Sequence, residues 1–385
     1  MVLTRRSALL GLAAGTFGRV SLALAAAPTE QRFVVVILRG ALDGLAALVP
    51  YADPAFAQLR PEFGPAAPGE GGTLDLGGRF GLHPALAGLH GMYAQGELLP
   101  IHAVAGPVRS RSHFEAQDIL ESGADHRLTS GWLNRAVQAM PRQAAETALS
   151  VGVQTPLLLR GAAPVGAYMP HAFAQPQADL YTQVAALTRG DPALGPAVAE
   201  GLRQRGFDAT QLTAGPKPNA YAFPALAGSA GQLLAAANGP RVAALEVEGW
   251  DTHANQVRRL DTVLRTLDAG LVALKDGLGE AWRRTAVLVV TEFGRTARPN
   301  GTGGTDHGTG ACAFLLGGAV MGGRVLADWP GLGELYENRD LAPTMDVRAL
   351  AKGVLAAHMG LSGPALSAAF PGSEGAAPVA GLIRT

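Results

Sequence analysis

The chain has 385 residues, with 31 Lys and Arg against 31 Asp and Glu. That zero balance excludes a nucleic-acid binder working by phosphate attraction, while 48% hydrophobic residues suffice for a sizeable core. A single cysteine, Cys312, excludes an internal disulfide.

Residues 1–27 carry Arg5-Arg6, an apolar run, and small residues at Ala25 to Ala27. This pattern predicts a twin-arginine signal and export to the periplasm. The run is broken by Arg19 and falls short of the roughly 20 residues a membrane span needs. Residues 28–385 are expected to form one domain. Phe33 to Leu38 is a continuous β-branched and apolar run, as in a strand buried on both faces. Asp43-Gly44 follows, either as a plain turn or as a ligand site beyond a strand's carboxyl end. Residues 53–78 are rich in Pro and Gly and read as a surface excursion. A helix is predicted over Pro84 to Gln95 and a strand over Leu98 to Ala103; His83 either lines a site or simply precedes the helix.

Ser112 and His113 stand where a loop becomes a helix, with its body at Phe114 to Glu121 and its stop at Gly123. Ser112 with Glu115 matches a capping box, and a helix start also favours anions. Arg109 and Arg111 just upstream are candidates for an anionic substrate group. Another helix begins near Gly131, and VGVQTPLLLRG reads as a strand. Residues 174–239 are Ala-rich, with no acid–imidazole cluster, and read as a helical insertion.

Arg241 to Glu248 is a predicted strand that delivers Trp250, Asp251 and His253 at its end. Leu260, Leu264, Leu267, Leu271 and Leu274 recur at helical spacing within Gln256 to Ala281. Thr285 to Thr291 is an apolar strand ending at Glu292, with Arg295 close behind. A Gly-rich loop at 301–304 leads to Asp306-His307, and Ala311 to Leu316 is a strand on which Cys312 reads as a small core residue. A last helix has Pro343 near its start. Strands alternating with helices predict an α/β protein: a doubly wound, mainly parallel sheet flanked by helices.

Imidazoles and carboxylates gathered after several strands suit a divalent ion, zinc first, with manganese or calcium as alternatives. Such an ion polarises a phosphoryl or sulfuryl oxygen.

The twin-arginine start, RGALDGL, GLHPAL, RSHFEAQD, SGWLNRA, GWDTHANQ, TEFGRT and TDHGTG together resemble the DUF1501 family. That family is similar to the alkaline phosphatase superfamily, which includes sulfatases and cofactor-independent phosphoglycerate mutases. The resemblance implies an alkaline phosphatase-like fold, with Asp43 as the metal ligand after the first strand. It also implies a nucleophile at the RSHF helix start, Ser112 or His113, with the hydroxyl of Ser112 preferred. Asp251, His253 and His307 resemble the ligands of one metal, with Asp306 beside them. Glu292 stands where the superfamily has an Asp-His pair. Here the chain departs from the pattern, because Phe293 replaces the histidine and D-x-H is a narrower spacing; one metal is the expectation. Arg109, Arg111 and Arg295 would neutralise the substrate anion.

The resulting expectation is an exported metal-dependent hydrolase of phosphate or sulfate esters, acting on a small anionic ester or a polysaccharide. The alternative is a catalytically inactive periplasmic binding or scaffold protein. The resemblance further implies a DUF1800-family partner, a group beside which members often occur.

Overall fold

The computed structural model describes residues 30–61, 63–140, 147–152, 154–168 and 222–384. The signal expected over 1–27, and the expected insertion as far as residue 221, lie outside the described residues. All described residues belong to one unit, Leu24–Met169 with Ala222–Thr385.

In chain order the first elements are β1 (Arg32–Arg39), α1 (Gly44–Ala47), β2 (Leu48–Val49), α2 (Pro54–Leu59), β3 (Leu74–Asp75), β4 (Gly81–Leu82), α3 (Ala87–Ala94) and β5 (Leu98–Ala105). Then come α4 (His113–Ser122), α5 (Trp132–Ala139), β6 (Ala148–Val151), β7 (Val165–Tyr168) and α6 (Phe223–Ala235). The chain continues with β8 (Val242–Glu248), α7 (Gln256–Leu278), β9 (Thr285–Thr291), β10 (Ala311–Leu316), β11 (Met345–Asp346), α8 (Val347–Ala357) and α9 (Gly363–Ala369).

Eight strands form one sheet in the order β11-β5-β10-β9-β1-β8-β6-β7. β1 pairs in parallel with both β8 and β9, and β6 pairs in parallel with β7 and β8. β10 runs antiparallel to both β9 and β5, so among the described strands it alone opposes the sheet's direction. The sheet is therefore mainly parallel, as the alternation of strands and helices predicts. A small antiparallel sheet, β2-β4-β3, stands beside it.

The residues of β1 explain the double winding. Val34, Val36 and Leu38 face one way and pack in a core with Leu260, Leu264 and Leu267 of α7 and Phe223 of α6. Phe33, Val35 and Ile37 face the other way and pack with Trp132 of α5, Leu350 of α8 and Phe370. A strand buried on both faces must be apolar along its centre, and Phe33 to Leu38 are, with an arginine at each end. The α7 leucines are 0–2% exposed, and burying each such side chain contributes about 1.5–3 kcal/mol.

Three local expectations need correction. The apolar LLL of VGVQTPLLLRG is a 3-10 turn, Leu157–Leu159, and only Ala148–Val151 is a strand. The α3 helix starts at Ala87, three residues after Pro84. The capping box is not made: Ser112 occupies the cap position without a side-chain cap bond, and Glu115 instead accepts from Ser110 Oγ at 2.5 Å.

Candidate metal centre

The parallel strands β1, β8 and β9 end at one edge of the sheet, and the loops leaving them meet there. Gly40 follows β1 with φ +115°. A Cβ at this position would stand 2.6 Å from the Asp251 backbone nitrogen, so only glycine lets the β1 and β8 loops touch. The β9 loop contributes Glu292 and Arg295. The 305–308 loop lies against it, since Arg295 and His307 form an antiparallel bridge. The α4 start brings in His113.

Four donor atoms converge. His307 Nε2 lies 3.0 Å from His113 Nε2, 2.9 Å from His253 Nε2 and 3.2 Å from Asp251 Oδ1. Asp251 Oδ1 is in turn 3.0 Å from His253 Nε2 and 3.6 Å from His113 Nε2. The ligand atoms of His113, Asp251 and His307 fit a metal site among themselves, and His253 Nε2 stands within 3.0 Å of two of them, His307 and Asp251. Ligands around zinc at 2.0–2.1 Å stand about 3.3–3.4 Å apart in a tetrahedron, and the separations within the His113, Asp251 and His307 group, 3.0, 3.2 and 3.6 Å, bracket that value. The His253 and Asp251 side chains are 44% exposed against 23% and 24% for His113 and His307, which leaves the centre open on their side.

The other ring nitrogens explain why the cluster calls for a cation. His113 Nδ1 is 2.8 Å from Glu292 Oε1, His253 Nδ1 is 3.2 Å from Asp306 Oδ1, and His307 Nδ1 is 2.8 Å from the Arg111 carbonyl. Carboxylates and carbonyls only accept, so each Nδ1 carries the proton and donates. In the neutral rings each Nε2 then offers a lone pair. Three lone pairs and a carboxylate oxygen facing one another at about 3 Å repel unless a metal ion or a shared proton lies between them. An outward Nδ1–H donated to a fixed acceptor is the usual support of a metal-bound histidine.

Those supports are themselves anchored. Glu292 has no exposed side-chain surface; its Oε1 also accepts from Gly40 N at 2.9 Å and Gln117 Nε2 at 3.0 Å, and its Oε2 from Thr291 Oγ1 at 3.0 Å. Despite burial, the His113 and Gln117 bonds hold its carboxyl below the usual range. The Glu292 bond in turn raises the His113 pKa against burial, whereas burial lowers that of His307. Asn300 Nδ2 donates to Asp306 Oδ1 at 3.0 Å, keeping that carboxyl ionised. Phe293 is buried and lies under two of the imidazoles, 4.9 Å from the His113 ring and 5.1 Å from that of His307.

The remaining candidates lie elsewhere in the network. Asp43 is not brought into the cluster. It caps α1, and Arg60 Nη1 donates to its Oδ2 at 2.7 Å with both side chains almost wholly buried. Its Oδ1 accepts from the α1 backbone and its Oδ2 from Arg60, so both oxygens are engaged away from the cluster. Glu292 and Asp306 stand behind the imidazoles. Arg295 is buried and donates to Asp251 Oδ1 at 2.7 Å, so it orients a cluster carboxylate and does not face solvent. This pairing outweighs burial and lowers the Asp251 pKa. Arg111 pairs with Asp340 Oδ2 at 2.7 Å and Glu337 Oε2 at 2.6 Å. Arg109 is exposed and donates to the Gly106 carbonyl. Ser112 is exposed, and among the described residues its Oγ has no hydrogen-bond partner. His83 stands apart, in a cleft with Phe63, Val257 and Asp261.

Several supporting residues escaped the sequence reading: Arg60, Gln117, Gln256, Asn300, Thr305 and Asp340. Gln117 sits one helical turn after His113, a spacing that puts both on one face of α4. Gln256 ends the GWDTHANQ motif; it donates to Asp43 and accepts from Thr252 and Thr305. Arg60 and Asp340 carry no local signal.

Fold and donors together define an α/β protein with a candidate N3O centre for a divalent cation. The chain belongs to the family described as "Protein of unknown function (DUF1501)", which matches residues 101–369. No curated protein matches the chain. Among solved structures it is similar to the crystal structure of Ps i-CgsB, at 10% identity over 90% of this chain and 76% of that one, TM-score 0.40. It is also similar to the C-terminal periplasmic domain of EcEptC from Escherichia coli, at 10% identity over 90% of each chain, TM-score 0.37. The alkaline phosphatase of the Antarctic bacterium TAB5 is 12% identical over 74% of this chain and 91% of its own, TM-score 0.34. At these scores the likeness is too slight to carry a functional conclusion. Among the described residues no helix is long and apolar enough to cross a membrane.

Proposed function

We propose that this chain is a metal-dependent hydrolase of phosphate or sulfate esters, exported by the twin-arginine route and working with a single divalent ion, zinc first. The observation that carries the reading is the meeting of His253 Nε2, His307 Nε2 and Asp251 Oδ1 within 2.9–3.2 Å of one another. Its chemistry suits zinc, which favours imidazole nitrogen and carboxylate oxygen in a four-coordinate site. The likeness of the DUF1501 family to the alkaline phosphatase superfamily suggests the ester class.

When bound, the ion would polarise the ester oxygen and favour attack by a hydroxyl group. The chain's own residues do the rest. Asp306 and the Arg111 carbonyl keep His253 and His307 in the tautomer that presents Nε2. Arg295 keeps Asp251 ionised and aimed at the centre. Arg109, exposed upstream of α4 and without an ion pair among the described residues, is suited to meeting the substrate anion.

A second reading, a binding protein acting with a DUF1800-group partner in the envelope, is favoured by one observation. Arg111 and Arg295 are both committed to carboxylates of the chain itself. A substrate panel separates the two. The hydrolase reading expects turnover of an aryl phosphate or aryl sulfate that disappears with chelation and returns with zinc or manganese. A fully loaded protein inert towards both ester classes would leave the binding reading standing.

A further inference from the structure

We infer that His113, the first residue of α4, is a fourth ligand of the metal and not an attacking group. The inference rests on the metal reading above and changes what the helix start does.

Both ring nitrogens of His113 are spent. Nδ1 is held by Glu292 at 2.8 Å, and Nε2 points where His307 Nε2 and Asp251 Oδ1 also point, at 3.0 and 3.6 Å. The ring cannot turn away cheaply. Phe293 lies tilted against it at 4.9 Å and the His307 ring meets it edge-on at 4.4 Å. Glu292, which fixes Nδ1, is locked by Gly40 N, Gln117 and Thr291. A nucleophilic imidazole needs a free lone pair facing substrate. Here the lone pair faces two other ligand atoms, the arrangement of a metal donor.

Ser112, one residue earlier, does not inherit the role by geometry. A serine hydroxyl attacks when a neighbouring base takes its proton, and among the described residues Ser112 Oγ makes no hydrogen bond. The helix start at which the resembled superfamily carries its attacking side chain is thus a clamp. Through His113 a bound ion would tie α4 to the β8 loop of Asp251 and His253 and to the loop of His307. Through Gln117, which accepts from Arg39 Nη1 at 3.0 Å, that clamp continues into β1.

The test counts ligands directly and does not depend on turnover. Cobalt(II) replaces the native ion in the full-length protein, and proton NMR records the strongly shifted, solvent-exchangeable imidazole N–H signals. Each histidine bound through Nε2 contributes one such signal from its Nδ1–H. Three Nδ1–H groups are held by acceptors here, so three signals are expected. His113→Gln should leave two, with lowered cobalt affinity, and Ser112→Ala should keep three. Cobalt bound by the wild type with only two signals, both retained in His113→Gln, overturns this inference alone and leaves the metal reading intact. A wild-type chain that takes up no cobalt ends both. If His113→Gln does not fold, the wild-type count still decides.

Discussion

Glu292 accepts a hydrogen bond from His113 Nδ1 at 2.8 Å while its side chain has no exposed surface. A buried carboxylate with four donors around it, from Gly40, His113, Gln117 and Thr291, is stable only as an anion. Its charge makes the imidazole a stronger donor toward the centre. Glu292→Gln keeps the size and removes the charge, so metal affinity should fall about 10–100-fold, the usual effect of losing such a support. Chelator competition measures it; a variant binding as tightly as wild type would show that Glu292 serves the fold alone.

Arg60 and Asp43 form a second buried pair, and its role is stability. Both side chains are at most 1% exposed, and Arg60 also donates to the carbonyls of Ala297 and Thr296 at 2.8 Å. Removing one partner leaves a buried charge without its counter-ion, so Arg60→Met should cost about 3–5 kcal/mol of unfolding free energy. Adding Asp43→Leu should recover part of that loss. Denaturant titration of the two variants is the check, and single and double variants of equal stability would contradict the pairing.

Gly304 carries a different constraint. A Cβ there would stand 2.2 Å from the carbonyl carbon and oxygen of His253, whereas one at Gly301 would meet nothing within 4 Å. Gly304→Ala must push the His253 loop and should weaken metal binding, while Gly301→Ala should not. Matched titrations of the two variants test this, with equal affinities as the adverse outcome.

His102 sets a pH dependence away from the centre. It is buried, its Nε2 is 2.7 Å from the Leu48 carbonyl, and burial lowers its pKa from 6.5 to about 4. The folded chain therefore keeps this ring neutral where the unfolded chain protonates it. Stability is unaffected above about pH 6.5 and falls as pH drops towards about 4, by on the order of 3 kcal/mol in full. Denaturant titrations of metal-free protein at about pH 7.5 and pH 5 should show a smaller loss for His102→Gln than for wild type. Identical losses would assign the acid sensitivity to other groups.

The sheet is legible because its central strands carry continuous apolar runs: Thr285 to Thr291 is a strand to the residue, and β1 differs from its predicted span by one residue at each end. The LLL of residues 157–159 was misread because a short apolar run has the same composition in a strand and in a buried turn. At the centre, the D-x-H and D-H motifs pointed to Asp251, His253, Asp306 and His307. Spacing alone did not separate the residues whose atoms converge from those behind them. Asp306 and Glu292 look like ligands in sequence, yet each holds a histidine. Asp43 could not be judged because its partner, Arg60, lies on a Pro- and Gly-rich excursion with no motif. Phe293 read as a missing histidine, yet the folded chain uses it as the surface on which His113 and His307 rest.

Binding of one divalent ion by the imidazoles and Asp251 is tested most directly by elemental analysis of the chelator-stripped full-length protein after dialysis against zinc, and separately against manganese and calcium. One zinc ion per chain, lost on replacing His253 or His307 by alanine while the fold persists, is the predicted result. Less than one ion per chain with every metal offered, or zinc retained in both variants, would contradict it.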